Sequence, residues 1–189
     1  MCISLQKNIE IFMNKNLESK IKSVIRDVPD FPKPGILFKD ITPILLNPAL
    51  VDELVSEIAL SFESKKIDAV AGIESRGYLF GVLLAQKLKV PFIMIRKEGK
   101  LPAKTLKESY NLEYGSATIE VHEDAIEENS HVLIHDDLLA TGGTAIAAAN
   151  LIRKKANVAG FSFLIELKFL DGLKKLNQIS LNTKSVIQY

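Results

Sequence analysis

Two adjacent acids, Asp136 and Asp137, are followed after three residues by Thr141-Gly142-Gly143-Thr144. Ahead of them runs a short apolar stretch, Val132 to Ile134 with His135, and behind them an alanine-rich run from Ala145 to Ala156. A β-branched apolar run, a glycine turn and a helical stretch in that order predict a strand–loop–helix unit. The first N–H groups of a helix have no internal partner and carry the positive end of its dipole, so they attract phosphate. Gly142 and Gly143 let the main chain come close to an anion, and Thr141 and Thr144 add hydroxyl donors. Ionised carboxylates only accept hydrogen bonds, which suits a vicinal diol such as the 2′ and 3′ hydroxyls of a ribose. A phosphate cradle beside a diol clamp describes a sugar-phosphate site. An ordinary acidic turn shares this local pattern. This stretch is not a Walker A loop, since no Gly-Lys-Ser/Thr follows the glycines, and it is not the G-x-G-x-x-G fingerprint.

Other groups along the chain could serve the same ligand. Glu74-Ser75-Arg76-Gly77 lies between a buried strand candidate, Ile67 to Ile73, and a helical stretch through Leu88. Arg76 brings a planar fork of donors that matches a diphosphate, with loop amides beside it. A loop arginine held in a salt bridge is the plainer alternative. Arg96-Lys97-Glu98-Gly99-Lys100, with Leu101-Pro102 after it, reads as a solvated charged turn, and Ser109 to Gly115 as the edge of a hairpin.

These side chains need a scaffold. Leu17, Ile21, Val24 and Ile25 share a helical face, which predicts a first helix ending before Pro29. Asp30 to Ile44 is rich in Pro and Gly and reads as an extended, ordered loop. Asn47-Pro48, a cap followed by a first-turn proline, opens a helix with Leu50, Val51, Leu54, Val55, Ile58 and Phe62 on its apolar face. Further strands are expected at Val90–Ile95, Ala117–Val121, Val132–His135 and within Phe161–Leu167. Strands alternating with helices predict a doubly wound α/β fold, a mostly parallel sheet flanked by helices with right-handed crossovers. Ligands of such sheets bind beyond the carboxyl ends of the strands. Glu74–Gly77 and Asp136–Thr144 both fall there.

The 189 residues suit one domain with a real core, and 47% hydrophobic with 25% charged residues is a globular composition rather than a disordered one. A net charge of +1 gives no reason to expect nucleic acid or a membrane as partner. No run approaches the ~18 apolar residues of a membrane span. Cys2 is the lone cysteine, which excludes an intrachain disulfide and fits a reducing, cytoplasmic compartment. His122, His131 and His135 are scattered, without metal-ligand spacing. The first thirteen residues, interrupted by Lys7 and Glu10, lack a small-residue cleavage site and argue against a signal peptide. The organised pattern begins after Met13, so residues 1–13 read as an extension.

The acid pair and the Thr141–Thr144 loop resemble the phosphoribosyl-diphosphate motif of type I phosphoribosyltransferases. Asp30-Phe31-Pro32-Lys33-Pro34-Gly35-Ile36-Leu37-Phe38-Lys39-Asp40-Ile41, Gly72 to Gly77, Arg96 to Pro102 and Ser109 to Gly115 follow in the order of the adenine phosphoribosyltransferase family. The resemblance runs from about Leu17 to Leu167. The chain departs from the family at His135, where an apolar residue is usual, at Ala103-Lys104, where Gly-Pro is often seen, and at Lys39, where many members carry Arg.

The resemblance implies transfer of phosphoribosyl from 5-phosphoribosyl 1-diphosphate to adenine, with Mg²⁺ on the sugar diphosphate. It implies that Ala140, Thr141, Gly142, Gly143 and Thr144 hold the 5′-phosphate. Asp136 and Asp137 would take the ribose hydroxyls or, through water, the metal, which has no other direct protein ligand. Glu74, Ser75, Arg76, Lys97, Lys100 and Tyr114 would complete the phosphoribosyl-diphosphate site. Arg96 would reach the diphosphate of a neighbouring subunit, so a homodimer is implied. Leu37, Phe38 and Lys39 match the adenine-binding positions, in a small N-terminal hood over residues 17–45, and Glu113 the catalytic acid/base position. Two rivals are a type I enzyme for hypoxanthine, xanthine or orotate, and a non-catalytic sensor of phosphoribosyl diphosphate. The Asp30–Gly35 and Leu112–Gly115 segments argue against the first. The second would need a nucleic-acid surface, and the chain has neither an extra domain nor a basic stripe.

Overall fold

The structure, a computed structural model, describes residues 16–111 and 115–189. They fall into two compact units, Met1–Glu57 and Ile58–Tyr189. In the first, a helix over residues 16–24 (α1) buries Leu17 and Ile21 on one face. It ends by Ile25, because Arg26–Pro29 (β1) is drawn into an antiparallel hairpin with Leu37–Asp40 (β2). This corrects the reading of Asp30 to Ile44 as loop throughout, and a 3-10 helix, Thr42–Leu46, takes up its far end. Opposed charges face each other across the hairpin: Lys39 meets Asp27 directly across the pair at 2.7 Å, and Arg26 meets Asp40 at 3.8 Å. Asp30 Oδ1 closes the turn by accepting from the Gly35 N–H at 2.7 Å. The helix expected at Asn47-Pro48 is Pro48–Leu60 (α2), with Asn47 Oδ1 accepting from the Leu50 N–H at 3.1 Å. Leu50, Leu54, Val55 and Ile58 are buried along it, and Phe62 is buried in the turn that follows.

The second unit is built on a seven-stranded sheet. Ala69–Ile73 (β3) leads through Gly77–Leu88 (α3) to Phe92–Lys97 (β4). Thr105–Asn111 (β5) and Ser116–His122 (β6) form a hairpin. His131–Leu139 (β7), Gly143–Ile152 (α4) and Asn157–Glu166 (β8) follow, then Gly172–Leu176 (α5) and Thr183–Gln188 (β9). The order is β5-β6-β4-β3-β7-β8-β9, parallel from β4 to β9, with β6 and β5 antiparallel at one edge. The expected mostly parallel sheet is therefore present. Strands covered on both faces are continuously apolar, as Val132, Leu133 and Ile134 and then Phe161, Phe163, Leu164 and Ile165 show by their burial.

Three strands reach further than their composition suggests. β4 continues through Arg96 and Lys97 because these pair with Glu120 and Ile119. β7 continues past His135 to Leu139, and β8 starts at Asn157, because the two pair from His131↔Asn157 to Leu139↔Glu166. A polar residue does not end a strand whose neighbour goes on. α5 and β9 answer to no sequence expectation. The chain's end is stitched to the turn after β8: the Tyr189 N–H donates to the Glu166 carbonyl at 3.0 Å, and the Lys168 N–H to the Tyr189 carbonyl at 3.0 Å. Among the described residues no helix is long and apolar enough to cross a membrane.

Candidate functional site

The chain leaves β3 toward β4 on one side of the sheet order and leaves β7 toward β8 on the other, while β3 and β7 are themselves neighbours. The point where the winding reverses, a general ligand crevice in open α/β sheets, thus lies between these two strands. Their carboxyl ends carry the two loops singled out from sequence, Glu74–Arg76 before α3 and Ala140–Gly142 before α4. Asp136 and Asp137 belong to β7 itself rather than to the loop after it.

Glycine geometry sets the approach of the two helices. A side chain at Gly77 would place its first carbon 2.9 Å from the His135 carbonyl and 3.0 Å from Asp136 Oδ1, so α3 can begin against the acid pair only with glycine there. Gly142 has φ +80°, a left-handed turn that favours glycine, and no side chain caps α4 after it. The Ile146 N–H donates to the Gly142 carbonyl at 2.9 Å. The earlier amides of Gly143, Thr144 and Ala145 therefore have no partner within the helix, the arrangement that receives an anion. Thr144 Oγ1 donates to the Tyr110 hydroxyl of β5 at 3.2 Å. Behind the loop stands Gly172, where any side chain would collide with the Ala140 carbonyl oxygen and lie 3.1 Å from the Gly142 nitrogen.

Charge is concentrated at the strand ends. Arg76 Nε lies 3.0 Å from Asp137 Oδ2, and the Asp137 N–H donates to Asp136 Oδ1 at 2.9 Å. Burial and then the Asp137 charge push the Asp136 carboxyl well above its ordinary value. Burial also raises Asp137, with Arg76 opposing it. The salt bridge and a diphosphate role for Arg76 are compatible, because the guanidinium has five N–H donors. Ser75 beside it is exposed, and the Glu74–Ser75 peptide is cis. Glu74 turns to the neighbouring strand, where Oε2 accepts from the Lys97 N–H at 3.0 Å and from Arg96 Nε at 3.3 Å. Burial pushes its carboxyl up, but the Lys97 amide and Arg96 outweigh this and hold it below the usual value. Arg96 Nη1 donates to the Lys100 carbonyl at 3.0 Å, and the Lys97 and Lys100 side chains are exposed.

In the first unit Leu37 is 53% exposed, and the Phe38 ring meets Phe31 edge-on at 5.1 Å. Lys39 is occupied by Asp27. Glu113 and Tyr114 lie outside the described residues, as do residues 1–13. His135 is fully buried in β7, with Nδ1 3.1 Å from Ser162 Oγ and Nε2 without a partner. Burial lowers its pKa to about 4, so the ring is neutral. Sequence reasoning missed Tyr110, Glu120 and Gly172. Tyr110 stands inside a segment already noticed, whereas a lone glutamate in an alternating strand and a glycine after a polar turn carry no distinguishing signal.

Comparison with known proteins bears on most of the chain. Residues 40–161 match the phosphoribosyl transferase domain family. An adenine phosphoribosyltransferase of Cytophaga hutchinsonii is 51% identical over 174 residues, which is 92% of this chain and 96% of that protein. The crystal structure of adenine phosphoribosyltransferase from Thermoanaerobacter pseudethanolicus superposes with a TM-score of 0.87 at 47% identity, covering 90% of this chain and 99% of that one. The Saccharomyces cerevisiae enzyme, solved with an imino-altritol bisphosphate and adenine, gives a TM-score of 0.84 at 38% identity, over 91% and 99% of the two chains. Likeness of that extent reaches well beyond a shared loop, and the chain belongs to the adenine phosphoribosyltransferases, a family of transferases with the type I phosphoribosyltransferase fold.

Proposed function

We propose that this chain transfers the phosphoribosyl group of 5-phosphoribosyl 1-diphosphate to adenine, giving AMP and diphosphate, a purine salvage reaction. The observation that carries the reading is the pair of loop–helix junctions at the winding reversal, with Asp136 and Asp137 beside them. Displacement at the anomeric carbon builds positive charge on the ribose ring and negative charge on the departing diphosphate. Catalysis is then mainly electrostatic and positional. Ala140–Thr144 would hold the 5′-phosphate on main-chain N–H groups and two hydroxyls, and the acid pair the ribose hydroxyls. Arg76, Lys97 and Lys100, with Ser75 and Tyr114, would gather the diphosphate. Leu37 and Lys39 would read the adenine edge through the main chain, Phe38 would pack on its face, and Glu113 would handle the proton at the purine. The hood over residues 17–45 would belong to a single phosphoribosyltransferase domain.

Among the described residues no group of three or more His, Cys, Asp and Glu could hold a metal. Two carboxylates, one already paired with Arg76, instead suit a Mg²⁺ that keeps its waters and arrives on substrate phosphates. When bound, it would neutralise charge on the leaving diphosphate. The working form we propose is a cytoplasmic homodimer in which Arg96 serves the partner's diphosphate.

Labelled adenine incubated with phosphoribosyl diphosphate and Mg²⁺ should give AMP, and excess chelator should stop it. Failure to form AMP, or equal kcat/KM with hypoxanthine, would overturn the reading. Hydrogen bonding mismatched in a closed site should favour adenine by roughly 10⁴-fold. For the dimer, mixing Arg96→Ala with Arg76→Ala should restore activity in hybrid dimers. No rescue despite subunit exchange would count against a shared site.

A further inference from the structure

Glu120 has no role in the reaction as set out above, yet it is 2% exposed in β6. A carboxylate is costly to bury unless its oxygens are used. Oε1 accepts from two consecutive main-chain donors, the Lys100 N–H at 2.9 Å and the Leu101 N–H at 3.0 Å. Oε2 accepts from Thr105 Oγ1 at 3.3 Å and stands 4.0 Å from Lys107 Nζ. The same turn is held from its other side. Glu74 grips the Lys97 N–H and Arg96 Nε, and Arg96 Nη1 donates to the Lys100 carbonyl. Both main-chain polar groups of Lys100 are therefore bound, one to Glu120 and one to Arg96, while its side chain is exposed.

We infer that Glu120 is a positioning residue for the diphosphate, acting through Lys100: it fixes the main chain from which the ammonium reaches the leaving group. The inference rests on the assignment of Lys100 to the diphosphate in the proposed function. A lysine stem is flexible, so an ammonium whose backbone also wandered would lose more freedom on meeting its anion. What Glu120 supplies is reach, an oxygen at the right place for two N–H groups, rather than negative charge.

Two substitutions separate reach from charge. Glu120→Asp keeps the charge and withdraws the acceptor; Glu120→Gln keeps an oxygen at full length and gives up the charge. Steady-state kinetics with Mg²⁺ should show KM for phosphoribosyl diphosphate rising about tenfold in Glu120→Asp, with KM for adenine unchanged. Glu120→Gln keeps the acceptor in reach but weakens its bonds by losing the charge, so it should raise the same KM clearly less than Glu120→Asp does. In a Lys100→Ala background, Glu120→Asp should add almost nothing. The inference is overturned if Gln is as harmful as Asp, if both KM values rise together, or if the Lys100 and Glu120 effects add. An unchanged KM in Lys100→Ala alone overturns it through its premise, while AMP formation by the unsubstituted protein still upholds the reaction. Should Glu120→Asp not fold, Thr105→Val removes one donor to the same carboxylate. It should give a smaller rise in the same KM, again abolished by Lys100→Ala.

Discussion

Asp136 and His135 are neighbours in β7 that respond to pH in opposite ways. Burial and the Asp137 charge make the folded Asp136 carboxyl hold its proton more tightly than the unfolded one. Stability is therefore greatest below the ordinary carboxylate range and is lost as pH rises through the folded value. Asp136→Asn keeps the shape and removes that pH-dependent loss. Its melting temperature at pH 7.5 should equal or exceed that of the unsubstituted protein, while KM for phosphoribosyl diphosphate rises. A lower melting temperature with unchanged KM would show the acid to be structural. His135 has a folded value of about 4, set by burial, so the unfolded chain takes up the proton first as pH falls. Stability is lost between about pH 6.5 and pH 4, by up to roughly 3 kcal/mol. His135→Val together with Ser162→Ala, which leaves no unpartnered hydroxyl, should flatten the fall in melting temperature from pH 7 to pH 5. A slope equal to that of the unsubstituted protein would place the acid sensitivity elsewhere. At this scale the acid pair and its threonine-glycine loop were legible, because residue type and spacing alone define them. Glu120 was not, because its burial depends on a turn folding over it and not on its own strand.

Among the elements, α4 and its loop were readable and their backing was not. Ala145, Ala147, Ala148 and Ala149 are buried on α4, and small side chains let the helix lie close to the sheet. The alanine run announces such a helix. The start of α5, by contrast, faces the loop with Gly172, where the lack of a side chain leaves room for the Ala140 carbonyl. Gly172→Ala should drive the first carbon of the new side chain into the Ala140 carbonyl, at a cost of about 1–3 kcal/mol. Thermal melts with and without phosphoribosyl diphosphate should show lower stability and a weaker ligand-induced shift. A stability loss with the full ligand shift retained would mean that the loop keeps its shape unaided. The β1–β2 hairpin escaped sequence reading for a related reason: Pro29, Pro32 and Pro34 suggest irregular chain, while the pairing that makes the hairpin lies across the strands.

For the molecule as a whole, the alternation of strands and helices shows the class of fold but not the order of strands in the sheet. That order is what sets β3 beside β7 and brings the two loops to one edge. It arises from long-range pairing, to which local composition is blind. The same blindness hid β9, whose Thr183, Lys184, Ser185 and Gln188 look like an unstructured tail. Yet Tyr189 is bonded at both main-chain groups to the end of β8 and the turn after it, and that turn runs on to the glycine that backs the Ala140–Gly142 loop. We expect that chain of contacts to couple the far edge of the sheet to the ligand, and any such coupling acts in both directions. In amide hydrogen exchange, β9 should gain protection when phosphoribosyl diphosphate is added, although no residue of that strand is assigned to the ligand. Deleting residues 183–189 should in turn raise the ligand's dissociation constant. Exchange in β9 that ignores the ligand would mean the stitch is mechanically idle; exchange that slows would make the last strand part of the phosphate grip.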